Sequence, residues 1–152
     1  MSVPTRVSSR IAPSLPTFSP DDAAQTDLCI FMSNYGHSMK RVEKGRAFIQ
    51  DDELSWEQAD VGIRRKILSY DDALMMVKVA FEKGGIGALH RHPHVQISYV
   101  ESGLFEVTIG DEVKSLKQGD AYYIAPNVLH GAVCLEEGVL VDVFTPKRDD
   151  FL

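Results

Sequence analysis

From about residue 61 the apolar positions of this chain recur every second residue. Met75, Val77, Val79 and Phe81 alternate with Met76, Lys78 and Ala80, and Phe105, Val107 and Ile109 alternate with Glu106 and Thr108. A period of two is that of a strand with one face on a core. Further runs of the same kind occupy 113–116, 121–124, 130–135 and 139–144. Gly84-Gly85, Ser102-Gly103, Gly119-Asp120 and Glu137-Gly138 punctuate them, and Gly110-Asp111 supplies a hairpin turn. Many short strands between turn signals, with almost no helical periodicity, predict an all-β sandwich or barrel. No internal repeat of solenoid or propeller length is present.

Residues 1–38 break the pattern. Four of the seven prolines and five serines fall in the first twenty residues, a composition that cannot pack a core and reads as a flexible extension. One short helix is expected at 20–32, with Ser19 as N-cap, Pro20 at the first helical position, Asp21 and Asp22 in the first turn, and Gly36 as a stop. Leu28, Cys29, Phe31 and Met32 would form its apolar side. The barrel domain is expected over 39–152. Met39-Lys40-Arg41 also fits an alternative translation start, which N-terminal sequencing of the native protein decides; a transit peptide fits the Arg- and Ser-bearing arm but has no other support in the chain.

Composition narrows the class. With 152 residues, 44% apolar and 25% charged, the chain is one globular domain able to bury a core without covalent staples. A formal net charge of −6 argues against a nucleic-acid partner but not against an anionic small molecule, since a local arginine or metal overrides the global sign. Two distant cysteines, Cys29 and Cys134, make no disulfide framework and fit a reduced, cytoplasmic protein. No apolar run approaches the ~20 residues needed to cross a bilayer.

The candidate chemistry lies in two linked stretches. The first runs Gly84, five residues, His90, one residue, His92, three residues, Gln96, six residues, Gly103; the second runs Gly119, six residues, Pro126-Asn127, two residues, His130. His90 and His92, two apart in a strand, are expected to share a face. Pro93 cannot donate to a ladder, so a bend there lets Gln96 return to the interior. His130 would close the set from the opposite wall. Three imidazoles and an amide oxygen suit one divalent ion, Zn, Ni, Co or Mn, with Fe disfavoured. Five histidines are unremarkable for this length; the spacing carries the inference. His94 falls out of phase after Pro93 and reads as a supporting or exposed residue, and His37 has no company.

A second constellation closes the chain. Asp142 and Phe144 share a strand face, while Val141 and Val143 point to a separate apolar layer. A barrel-facing Asp is costly unless paired or functional. Pro146 ends the strand, and Arg148 follows on a segment placed to fold back over the barrel mouth. On spacing alone, an edge strand with an exposed Asp and a solvated tail is the favoured explanation of the stretch.

The combined spacing resembles the two signature motifs of the cupin superfamily. From about residue 48 to 152 the chain resembles the single-domain cupins known as pectin degradation proteins, on the stretches RRKILSYDDALMMVKVAFEKGGIGALHRHPHVQISYVESG, GDAYYIAPNVLHGA and VDVFTPKRDDFL. The last is the most specific, since other cupins share only the first two. The resemblance implies a cupin double-stranded β-helix, or jelly-roll barrel. It implies a metal held by His90, His92, Gln96 and His130, and catalytic residues Asp142, Phe144 and Arg148. The implied activity is ketonisation of 4,5-unsaturated monouronates from pectin or alginate. The partners it implies are an anionic sugar substrate and a second copy of the chain, with no nucleic acid and no membrane.

Some positions depart from the pattern. Gln96 stands where the family pattern normally has Glu. A neutral ligand leaves the ion its full charge, which favours Lewis-acid over dioxygen chemistry. Asn127 replaces the usual turn glycine, Cys134 replaces Asn at a packing position, and Val95 replaces a Glu that is read as a non-ligand. Two alternatives belong to other classes: a metal cupin with dioxygenase or cyclase chemistry, and a non-catalytic sugar-binding or sensory cupin.

Overall fold

The computed structural model describes residues 42–152. The predicted extension 1–38, its helix at 20–32, and Cys29, His37 and Met39 lie outside the described residues. The described residues form eight strands: β1 (Glu57–Asp60), β2 (Ile63–Tyr70), β3 (Met75–Phe81), β4 (Ile86–His90), β5 (Val95–Ile109), β6 (Glu112–Lys117), β7 (Ala121–Ile124) and β8 (His130–Thr145). The only helical elements among the described residues are two 3-10 turns, Asp51–Glu53 and Asp149–Phe151.

The strands pair antiparallel in the order β1-β2-β3-β8-β5-β6, with β4 added to β8 and β7 to β5. Strands β5 and β8 are long because each serves two faces. The first half of β5 (95–100) lies between the second half of β8 and β7, and its second half (104–109) lies between the first half of β8 and β6. One face is therefore β1-β2-β3-β8-β5-β7 and the other β4-β8-β5-β6, which is the two-layer jelly roll expected from the sequence.

Ser102-Gly103 and Glu137-Gly138 do not end strands, as their turn character led one to expect. They bend β5 and β8 where the chains change face. The ladder shifts register between Val100 and Phe105, Gly103 sits at φ +85°, and a Cβ on Gly103 would fall 2.6 Å from the Gly138 Cα. Two backbones approach closer here than any side chain allows. Asn127, the residue standing in for a turn glycine, also takes positive φ, at 63°.

The barrel interior is packed by Ile63, Phe81, Val100, Phe105, Val107, Ala132, Cys134 and Leu140. Phe81 and Phe105 meet edge to face at 5.4 Å, a favourable aromatic geometry. Cys134 is a buried free thiol in this core, as its packing role predicts. A second cluster of Met75, Val77 and Phe144 lies near the C-terminal end of β8. There the alternation is strict across four strands. Met75, Phe144, Gln96 and Ile124 are successive ladder partners, as are Val77, Asp142, Ser98 and Tyr122, and all but the half-buried Tyr122 are buried. The intervening Val141 and Val143 do not enter a buried layer. They are half-buried on an outer face flanked by the exposed Met76, Ile97, Tyr99 and Tyr123.

Candidate metal centre and its flanking residues

His90 and His92 reach the same place by a different route from strand alternation. β4 ends at His90, and His92 lies in the connection to β5. The segment containing Pro93 turns the chain so that His92 is buried while His90 stays exposed. His130 opens β8 and is the ladder partner of His90, after a register shift in β4 between Gly87 and His90. One ring nitrogen from each of His90, His92 and His130 lies within 4.8 Å of the others, and the His90 and His130 ring centroids are 4.3 Å apart.

Each imidazole is oriented by a backbone carbonyl. His90 Nδ1 faces Ala88 O at 2.8 Å, His130 Nδ1 faces Val128 O at 2.8 Å, and His92 Nδ1 faces His94 O at 3.2 Å. A carbonyl only accepts, so each Nδ1 carries the proton and each Nε2 presents a lone pair. His130 Nε2 is buried with no hydrogen-bond partner. His92 Nε2 faces Gln96 Oε1 at 2.9 Å, and in this tautomer both atoms are acceptors. Burial lowers the His92 pKa and brings that of His130 down to about 4, so protons do not resolve the crowding of lone pairs near neutral pH. A cation does. The four sequence-predicted ligands thus converge, and their donor set fits a divalent metal.

The predicted tail residues flank this cluster. The Phe144 ring centroid is 5.7 Å from that of His92, in an edge-on arrangement. Arg148, also buried, lies with its guanidinium 5.3 Å from the Phe144 centroid and 4.2 Å from that of Phe151. Asp142 is buried. Burial pushes its carboxyl up to about 6, against the opposing hydrogen bonds from Ser98 and Gln96 and the nearby Arg148 charge. The exposed-Asp alternative for this stretch is excluded by that position. His94 is half-buried with its ring 5.4 Å from His92, and its backbone carbonyl faces His92 Nδ1.

Three contributors escaped the sequence reading. Ser98 is fully buried, accepts from Gln96 Nε2 at 2.9 Å, and donates to Asp142 Oδ1 at 2.6 Å. Asp150 takes the Arg148 Nε at 2.9 Å and one Nη at 2.6 Å, and those bonds hold its own carboxyl down to about 2. Phe151 folds back so that its ring meets Phe144 at 5.8 Å. The alternation Gln96-Ser98-Val100 contained the signal for Ser98; the other two act through a local fold-back that periodicity does not report.

Comparison with known proteins agrees with this geometry. Residues 77–144 match the family model described as a cupin domain. The pectin degradation protein KdgF of Dickeya dadantii (strain 3937) is 54% identical over 109 residues, 70% of this chain and 99% of that protein. The structure of KdgF from Halomonas sp. is similar with a TM-score of 0.68 at 40% identity, over 70% of this chain and 99% of the other. An RmlC-like cupin from Shewanella frigidimarina NCIMB 400 gives a TM-score of 0.70 at 38% identity, over 72% and 98%. With its fold, its converging histidines and a relative matched over almost its whole length, this chain belongs to the cupins of the KdgF pectin degradation protein family.

Proposed function

We propose that this protein catalyses the metal-dependent ketonisation of 4,5-unsaturated monouronates, derived from pectin or alginate, to linear 5-keto-4-deoxyuronates. The observation that carries the reading is the placement of Asp142, Phe144 and Arg148 beside the three-histidine cluster, on the stretch that sets these proteins apart from other cupins. Likeness to pectin degradation proteins supports the substrate class.

The reaction is an isomerisation. The anomeric hydroxyl loses its proton, the ring C–O bond breaks to leave an aldehyde and an enolate at C5, and C4 gains a proton. A divalent ion held by His90, His92, Gln96 and His130 would supply Lewis-acid stabilisation of negative charge on a substrate oxygen. Asp142, with a carboxyl near 6, is suited to accept and return a proton close to neutral pH. Arg148 would bind the substrate carboxylate. Its Nε and one Nη hydrogen are already held by Asp150, so the edge it offers is the outer pair of Nη hydrogens. Phe144 presents an apolar ring between the arginine and His92 and keeps water from that side. His90, the exposed member of the cluster, marks the side from which a sugar would approach. The test is the decay of the ultraviolet absorbance of an unsaturated monouronate. Decay by wild type that is lost in Asp142→Ala and Arg148→Ala supports the assignment; equal rates in all three remove it.

A further inference from the structure

We propose that Ser98 is a positioning residue that fixes which end of the Gln96 amide faces the histidine cluster, and so makes a neutral glutamine usable as a metal ligand. The inference rests on reading His90, His92, Gln96 and His130 as a cation site, and it adds a requirement that no motif spacing contains. A carboxylate at position 96 would have two equivalent oxygens and could turn either toward an ion. A carboxamide has one oxygen that coordinates and one nitrogen that does not, so its orientation decides whether the fourth ligand exists.

In the cation-free protein the local chemistry favours the wrong orientation. With Nδ1–H given to the His94 carbonyl, His92 Nε2 is an acceptor 2.9 Å from the Gln96 amide. A flipped amide would donate to it, which is a better hydrogen bond than two facing lone pairs. The hydroxyl of Ser98 opposes the flip. It is fully buried, it stands beside Asp142 and Tyr122 in the ladder, and it is two residues along the same strand face from Gln96. Ser98 gives its single proton to Asp142 Oδ1 at 2.6 Å, which leaves its oxygen as an acceptor; the only amide atom able to use that acceptor is Nε2, found at 2.9 Å. The donors therefore run one way, from Gln96 to Ser98 and on to Asp142, whose carboxylate also draws on the Gln96 amide directly, and that direction points Oε1 at the cluster. Buried polar groups bonded in this way are worth more than exposed ones, because no water replaces a lost partner.

A double-mutant cycle on metal affinity tests the proposal without a sugar substrate. The dissociation constant for Zn²⁺ or Ni²⁺ is measured by chelator competition on the full chain for wild type, Ser98→Ala, Gln96→Glu and the double variant. Ser98→Ala is expected to weaken binding at least ~10-fold beside glutamine, the usual size of a lost supporting contact to a ligand, and by under ~2-fold in the Gln96→Glu background, where orientation no longer matters. Ser98→Thr keeps the hydroxyl and is expected to retain wild-type affinity. Equal weakening in both backgrounds would assign Ser98 a general packing role and overturn the proposal, as would no weakening beside glutamine. Should Ser98→Ala unfold, loss of affinity in a folded Ser98→Thr would equally overturn it. A wild type that binds metal with this cycle yet leaves uronates intact removes the ketonisation and keeps the Ser98 assignment; a wild type that binds no divalent ion overturns both.

Discussion

Burial holds the Asp142 carboxyl near 6, well above the ordinary carboxylate value of 3.8, and this sets chemistry against folding at one residue. Between those two values the folded protein keeps a proton that the unfolded chain has released. Stability therefore falls as pH rises through that window, and above it the metal-free protein carries the full cost, of order 3 kcal/mol. Asp142→Asn removes the charge. Its melting temperature is expected to exceed that of the metal-free wild type at pH 8 and to match it below pH 4, while turnover of the uronate drops at least ~100-fold. Thermal melts at the two pH values read the first effect; a variant less stable than wild type at pH 8 contradicts it. Arg148 yields a binding prediction. Arg148→Lys cannot reproduce the planar fork, so KM for the uronate is expected to rise at least ~10-fold with both Lys and Ala, and rescue by Lys would show that a point charge suffices. The histidine cluster with Gln96 was legible as residue types and spacing, whereas the roles proposed for Asp142 and Arg148 came from the family resemblance. The partners that orient them were not, because Ser98 and Asp150 are ordinary residues until the ladder and the fold-back place them.

The elements that build the site are the two bent strands. Register joins Gln96 to Phe144 and Ser98 to Asp142, and a slip of one residue in β5 would send Gln96 and Ser98 to the outer face and bring Ile97 and Tyr99 inward. What holds the register at the bend is the contact of Gly103 with Gly138. Gly103→Ala combines a positive φ with a Cβ 2.6 Å from backbone, so a loss of at least ~2 kcal/mol in urea unfolding is expected; a variant as stable as wild type contradicts the bend as a close backbone crossing. The alternating apolar pattern located the strands well, and 121–124 matches β7 end for end. It misread the glycines, because a glycine announces a local break in regularity, whereas continuation of the ladder depends on the partner strand bending at the same level. The same limit applies to His92. Two-residue spacing suggested strand alternation, but the strand ends at His90 and the turn at Pro93 does the work.

At the scale of the whole molecule, one face of the described residues is left unaccounted for by the barrel. Met76, Val143, Ile97 and Tyr123 form an outward row, and Val141 and Tyr99 the next; Ile97 is 50% and Tyr123 57% exposed. An apolar sheet face of this kind suits an association surface, and we propose it as the face through which the expected homodimer would form. Light scattering should give a mass near twice 16.9 kDa, and Tyr123→Glu should halve it; a monomeric wild type removes the expectation. No helix among the described residues is long and apolar enough to cross a membrane. At this scale the sequence was most informative, since the motif spacing carried the jelly roll and the metal cluster together, and least informative about the reaction, which hangs on one short C-terminal stretch. The most direct measurement is accordingly the ultraviolet absorbance of an unsaturated monouronate followed with wild type, with wild type stripped by chelator, and with the stripped protein after divalent metal is restored. The account predicts rapid decay, loss of decay on stripping, and recovery on restoration, with no oxygen consumed. Decay unaffected by stripping, or a metal-loaded protein that leaves the absorbance unchanged, contradicts it.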